Sequence, residues 1–330
     1  MAKVPQVSVC IPARNSAAYL PAAIESGLAQ DFDDFELVLV DNASTDETQE
    51  IAAGYDDGRF RTARFEESVG QAENWNRCLE IARGEYVILL HADDELLPGF
   101  LSRAVEVLDA NEDVGLVHCA VEQIDEKGRR LWTKRLFDAD LVDRDDVLLR
   151  RLLLEGCVID PAGVLVRRGL YETIGGFTDR VVWGVDWHML IRLSLERPVA
   201  YLSGPLARYR KHTASGTSGV LTSARNATDE RWVLEDVFHI LESRRPDLAG
   251  LRGDALRGLA DRTWWLAEEM CREGEMQAAR ADLRAAFAMR PALAVKPRSW
   301  ALWAATYFGY SSFERVRGWR RRGQDPRSAS

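Results

Sequence analysis

Three consecutive acidic side chains, Asp93, Asp94 and Glu95, follow an apolar run from Tyr86 to Leu90, with His91 and Ala92 between. Clustered carboxylates repel one another and are costly to hold together without a cation. In an α/β protein the carboxyl end of a parallel strand is where ligands bind. The pattern therefore predicts a divalent-metal and phosphate site. Such sites use one or two carboxylates, and phosphate oxygens and waters complete the octahedral shell. Asp93 and Asp94 supply that number. His91 lies on the same side of the chain as Asp93 if the strand persists. It is a third ligand, a group behind the ligands, or a strand-end histidine near water.

Three further segments carry chemistry. Pro12-Ala13-Arg14-Asn15 ends the first apolar run; proline stops the strand and aims the loop, and Asn15 tolerates unusual backbone angles. Asp41 ends the second run, within Val40-Asp41-Asn42-Ala43-Ser44-Thr45-Asp46. It is placed to accept hydrogen bonds from a base or ribose beside a helix N-terminus with free N–H groups. Ser44 and Asp46 are read as helix caps, whereas Asp41 has no capping task. Asp186, in Trp183-Gly184-Val185-Asp186-Trp187-His188, opens a helix. A carboxylate ringed by tryptophan is desolvated, which raises its pKa and makes it a better base. A helix-dipole role for the same carboxylate is the plainer alternative.

These segments need elements to hold them. Strands are expected over 7–11, 36–40, 61–65, 86–90, 114–121 and 162–166. Helices are expected over 17–29, to about 53, and over 71–82, 99–110, 145–154 and 185–195. That alternation predicts an α/β fold, a mostly parallel sheet covered by helices on both faces. Residues 125–129 read as a tight turn. From residue 224 onward only helices are expected. Met276, Ala279, Leu283, Ala286 and Phe287 form one stripe of a helix over 274–289. A boundary near residue 220 separates a catalytic domain, 1–220, from a helical C-terminal region, 221–330.

Composition narrows the class. A net charge of −9 argues against a nucleic-acid partner, whose binding surface would be basic. Five scattered cysteines form no Cys-x-x-Cys pair, which points to reduced thiols rather than a disulfide framework or zinc knot. Residues 1–6 carry no signal-peptide core, and no run nears the ~20 apolar residues of a membrane span. A cytoplasmic protein is expected. The stretch from Trp300 to Trp319 mixes aromatics with arginines, and ends in Arg320, Arg321 and Arg322. It suits packing on the protein, or peripheral contact with the inner face of a membrane.

Taken in order, the segments resemble the family-two glycosyltransferases of the GT-A fold, over roughly residues 5–215. The resemblance rests on the stretch ending Pro12-Ala13-Arg14-Asn15, on Val40 to Asp46, on Ala92-Asp93-Asp94, on Gly175-Gly176-Phe177, and on Val185-Asp186-Trp187 with Arg192. It implies transfer of a sugar from a nucleoside diphosphate, here a UDP-sugar, to a hydroxyl of a glycan, lipid-linked or small-molecule acceptor. Inversion and a requirement for Mn²⁺ or Mg²⁺ are implied as well. Asp93 would ligate the metal, Asp41 would hold the nucleoside and Asp186 would be the general base. Tyr209-Arg210-Lys211-His212, with Ser215, would form a loop closing over the diphosphate, and Gln71 and Asn76 would face the nucleotide. Arg14 stands where the family usually has an aromatic or small polar residue, and its guanidinium could stack on the base instead. His91 replaces an aspartate, which should weaken preference for Mg²⁺ relative to Mn²⁺.

Two enzyme classes with related folds fit less well. A nucleotidyltransferase would show a Gly-rich phosphate loop after the first strand, and a dinucleotide oxidoreductase a G-x-G-x-x-G turn there. Neither is present. A decayed nucleotide- or glycan-binding protein of the same fold is the alternative from another class.

Overall fold

The structure is a computed structural model that describes residues 4–212 and 225–311. Ser215, the expected boundary at residue 220 and the arginine-rich stretch after Ser311 lie outside the described residues. The chain forms two compact units. One comprises Met1–Leu152, Cys157–Val181 and Val185–Thr213; the other comprises Leu153–Gly156, Val182–Gly184 and Ala214–Ser330.

The first unit opens with β1 (Val7–Ala13), α1 (Leu20–Leu28), β2 (Phe35–Asn42), α2 (Thr48–Ala53), β3 (Phe60–Phe65), α3 (Gln71–Ile81) and β4 (Tyr86–Leu89). Then come β5 (Glu95–Leu96), α4 (Phe100–Ala110), β6 (Leu116–Ile124), β7 (Arg130–Lys134) and β8 (Leu141–Asp143). α5 (Val147–Glu155), β9 (Val164–Arg167), α6 (Arg168–Ile174), α7 (Val185–Glu196) and β10 (Val199–Arg210) complete the series. Alternate residues of the central strands serve opposite faces, as the two-residue period demands. Val9, Ile11, Leu37 and Leu39 enter a core that includes Leu20 and Ile24 of α1 and Phe100 and Leu101 of α4. Cys10, Val38 and Val40 enter another with Cys78 of α3. Both faces are covered, so the strands read as continuous apolar runs.

The strands form one sheet in the order β3-β2-β1-β4-β9-β6-β10-β5, with β7 on β6 and β8 on β10. β3, β2, β1 and β4 are parallel. β9 runs antiparallel to both β4 and β6. Two reversals restore the original sense, and β10 is parallel to β6. The carboxyl ends of β1, β2, β4, β6 and β10 therefore share one edge with the amino end of β9. The sheet is mostly parallel, as expected, and β5, β7, β8 and β9 run against the rest. A short buried strand such as Val164–Arg167 has the same residue pattern in either sense. β10 escaped the sequence reading because Ser203-Gly204-Pro205 interrupts its apolar run. Pro205 sits at a register shift against β6, the place a sheet tolerates proline. Tyr209 and Arg210, expected in a loop, are the end of this strand.

The second unit contains α8 (Asn226–Arg244), α9 (Pro246–Ala249), α10 (Arg252–Glu273), α11 (Met276–Met289) and α12 (Pro297–Phe308). The expected stripe on α11 packs inward: Ala279, Leu283 and Ala286 are buried against Ala260, Ala267 and Cys271, with Met276 and Phe287 beside them. Gly274 ends α10 at φ +93°, and the Glu275 N–H returns to the Met270 carbonyl at 2.8 Å. This left-handed cap requires glycine and turns the chain tightly into α11. Asp229 accepts the backbone N–H groups of Val182 and Trp183 at 2.9 and 3.0 Å, and Glu230 accepts the Trp183 indole N–H at 2.8 Å. No helix among the described residues is long and apolar enough to cross a membrane.

Asp282 of α11 is fully buried, and burial pushes its carboxyl up to about 7. The folded value exceeds the unfolded value of about 4. Its stabilising contribution is full below the unfolded value and is lost as pH rises to about 7. Thermal melts between those limits should show Tm falling with pH in the parent chain and a flatter profile in Asp282→Asn.

Candidate active site

The turn after β4 places His91, Asp93 and Asp94 so that one ligand atom from each lies within 4.8 Å of the others. Repulsion within the acidic trio is relieved by the end of β10 and the two residues after it, which give each carboxylate its own contact. Glu95 pairs with the buried guanidinium of Arg210, and with Arg208 at 3.1 Å. Asp94 accepts the backbone N–H of Arg210 at 2.9 Å. The Asp93 carboxylate lies 3.0 Å from Nε2 of His212. Arg210 also donates to the Asp93 carbonyl at 2.9 Å and the Asp125 carbonyl at 3.2 Å, and its guanidinium lies over the Tyr19 ring. Contrary to expectation, Arg210 is not on a closing loop: it is buried at a strand end, positioning the trio. The protein itself supplies the counter-charge for Glu95, which the sequence appeared to require from a cation. What remains open is specific. Asp93 is 34% exposed, and Oδ2 of buried Asp94 has no hydrogen-bond partner. Burial and the Asp93 charge push the Asp94 carboxyl well above the usual carboxylate range.

Asp186 stands in the first turn of α7 and accepts the N–H of Trp187 at 2.8 Å. Its other oxygen lies 3.9 Å from the Cys157 thiol. Burial raises its pKa, against the lowering effect of the Trp187 N–H and of His91. Asp186 and His91 both line a cavity of about 40 Å³ whose walls include Trp75, Pro161, Tyr171 and Phe177. The tryptophan sharing this cavity is Trp75, which stacks on His91 at 5.1 Å. The expected neighbour, Trp187, is buried elsewhere, with its indole N–H on the Leu152 carbonyl at 2.9 Å. Beside the cavity, Lys134 Nζ lies 3.1 Å from Asp160, whose carboxyl is raised by burial against the lysine's opposing charge. Sequence reasoning missed Trp75, Lys134 and Asp160. Pro161, directly after Asp160 and just before β9, marks a strand boundary and is the one sequence signal near that acid.

The loops after β1 and β2 are laced together. Asn15 adopts φ +52°, and its side-chain oxygen accepts the Thr45 N–H at 2.8 Å. Its own N–H donates to Ser44 Oγ at 2.9 Å. Asp46 lies one residue before the N-cap position of α2, which is Glu47, and accepts from Thr48 and from the Ala17 N–H at 3.0 Å. Asp41 caps no helix but has protein partners of its own. It is fully buried and accepts from the Ser44 N–H at 3.1 Å and Gln49 at 2.6 Å, with Arg64 at 3.4 Å. Arg14 and Gln71 are exposed, Pro12 is half-buried, and Ala13 and Ala92 are buried.

Asn76, expected to face a nucleotide, clamps the Gly175-Gly176-Phe177 turn. Its amide donates to the Phe177 carbonyl at 2.9 Å and accepts the Phe177 N–H at 2.7 Å. A Cβ on Gly176 would overlap that amide, so the second glycine is required by close approach. The clamp sets Phe177 edge-on to Trp75 in the cavity wall, with ring centroids 5.1 Å apart.

Glycosyl transferase family 2 matches residues 8–214, and the chain belongs to that family. It is a glycosyltransferase. An uncharacterized protein of Mycobacterium tuberculosis (strain CDC 1551 / Oshkosh) is 32% identical over 240 residues, covering 70% of this chain and 75% of the relative. Among solved structures, residues 1–349 of S. aureus TarS are similar with TM-score 0.63 at 18% identity, covering 98% of this chain and 93% of that one. The same TarS fragment has been solved in complex with UDP-GlcNAc. The mannosyltransferase PcManGT from Pyrobaculum calidifontis, solved with GDP-Man and Mn²⁺, is similar with TM-score 0.55 at 20% identity, covering 97% and 88%. The fold is the GT-A fold that the sequence resemblance implies, followed by a helical region.

Arg210→Met should destabilise the first unit by about 3–5 kcal/mol, because it leaves a largely buried Glu95 without its main counter-charge. Adding Glu95→Gln should recover part of that loss. Urea denaturation of the two variants checks both statements.

Proposed function

We propose that this glycosyltransferase moves a sugar from a nucleoside-diphosphate sugar, a UDP-sugar, to an acceptor hydroxyl with inversion. The observation that carries the reading is that His91 belongs both to the carboxylate cluster and to the cavity lined by Asp186. The complexes of the two structural relatives with UDP-GlcNAc and GDP-Man support a nucleotide-sugar donor.

A divalent cation fits the cluster, since buried Asp94 keeps an oxygen without a hydrogen bond and Asp93 is partly open. Asp93, Asp94, His91 and His212 are the residues that would hold it. An imidazole-and-carboxylate donor set suits Mn²⁺ better than a carboxylate set would. When bound, the cation supplies Lewis-acid neutralisation of charge on the leaving diphosphate. Lys211, next to His212, adds positive charge at the same strand end. The loops carrying Pro12 to Asn15 and Asn42 to Asp46 receive the nucleoside. Asp41 shapes that cradle through Ser44 and Gln49, and Arg14 is free to stack on the base. Asp186 takes the proton from the acceptor hydroxyl as that oxygen attacks the anomeric carbon opposite the diphosphate. In-line displacement then inverts the anomeric centre. The acceptor hydroxyl belongs to a glycan, a lipid-linked sugar or a small molecule.

Asp186→Asn should lower turnover by about 10²–10⁴-fold and leave nucleotide affinity intact; unchanged turnover removes it from the base role. The parent's acid limb should lie above the ordinary carboxylate value of about 4, because a base raised by burial ionises only at higher pH. Calorimetric titration of UDP into Asp93→Ala should lose the Mn²⁺-dependent part of binding. The reading as a whole is tested by following UDP release from UDP-sugars with Mn²⁺, and it fails if no nucleotide sugar is turned over.

A further inference from the structure

Four of the five exposed aromatic side chains among the described residues belong to the second unit: Trp265, Trp300, Tyr307 and Phe308. Their distribution is not random. On α12, Leu302, Ala305 and Thr306 point into the core. Trp300, Trp303 and Tyr307, at i, i+3 and i+7, make a second face of the same helix. Trp300 is 62% exposed, and Phe308, at the helix end, is 77% exposed. Two arginines one turn apart on α11 lie over this face, Arg280 4.8 Å from the Tyr307 ring centroid and Arg284 5.6 Å from that of Trp303. Arg298 lies over Trp264 and Trp265, at 4.8 and 4.6 Å. Arg284 has no carboxylate partner among the described residues. Beyond the helix, the sequence continues with Arg315, Arg317, Arg320, Arg321, Arg322 and Arg327 against only Glu314 and Asp325.

We infer that this aromatic and arginine face of α11 and α12 docks the protein on an anionic lipid bilayer. Tryptophan and tyrosine are favoured at the headgroup level, where one end of the ring is dry and the other wet. Arginine stems cover apolar surface while their heads stay in water. A run of cations directly after an aromatic-bearing helix is attracted by anionic headgroups, and each cation near the surface is worth about fivefold in binding. Arg298 is paired with Glu268 at 2.7 Å, so it is Arg280, Arg284 and the arginines that follow in the sequence whose positive charge selects a negatively charged partner. The inference does not depend on the donor chemistry or on Asp186.

The test is co-sedimentation of the full chain with phosphatidylcholine vesicles, and with vesicles of phosphatidylcholine and phosphatidylglycerol in about a two-to-one ratio. Binding is expected to the anionic vesicles and not to the neutral ones, and to weaken with salt. Trp300→Ala with Phe308→Ala should lower binding at least about tenfold, and Arg284→Gln about fivefold. Melting curves and turnover on a soluble acceptor should match the parent. If the double variant melts early, Arg284→Gln decides alone. The inference is overturned if neither vesicle binds, or if binding survives both variants unchanged. A concentration-dependent dimer abolished by the same double variant also overturns it, since the face would then bind a second copy.

Discussion

The site depends on one buried guanidinium. Arg210 neutralises Glu95, donates to the Asp93 carbonyl and, through its backbone, gives Asp94 a hydrogen bond. Without it, three adjacent carboxylates at a sheet edge would repel one another, or take up protons and cease to be ligands. With it, the trio divides into a structural acid, a half-satisfied acid and an open acid. The division is spatial as well as electrostatic, because Glu95 turns back along β10 as the first residue of β5 and Asp93 faces His212. A guanidinium suits this task better than an ammonium, since its planar fork serves several acceptors from one fixed position.

That guanidinium reaches the trio only because of how the strands run. β9 enters the sheet against its neighbours, so that β6 and β10 leave it in the same sense as β1, β2 and β4. Five carboxyl ends then meet on one edge. The amino end of β9 meets them there, preceded by Asp160 and Pro161. Residues about 115 positions apart, such as Arg210 and Glu95, are brought together by this arrangement of strand senses. Helix α7 contributes Asp186 from outside the sheet, with its carboxylate on the cavity that His91 also lines.

Much of this was legible in the residues, and the misses have a common cause. Asp93 and Asp94 were conspicuous because acids after an apolar strand have no packing rationale. Asn15 was read as a residue suited to unusual angles, and it has positive φ. The stripe on α11 was legible because helical period is local. What could not be read were pairs made across the chain. Asn76 looked free to face a ligand until its partner, Phe177, was in view 101 positions away. Asp41, expected to hold a nucleoside, has protein partners out of local view, among them a glutamine and an arginine on neighbouring elements. β10 was hidden by its own irregularity, and the sense of β9 by the symmetry of a short apolar pattern.

That irregularity carries a constraint of its own. Between Leu202 and Ala207, β10 advances five residues while β6 advances two, from Cys119 to Val121. An odd surplus exchanges the two faces of everything downstream, since side chains alternate along a strand. The inward aim of Arg210 is thus fixed by the length of the Ser203–Leu206 stretch. Removing a single residue there would turn the guanidinium outward and send Tyr209 or Lys211 toward the acids instead.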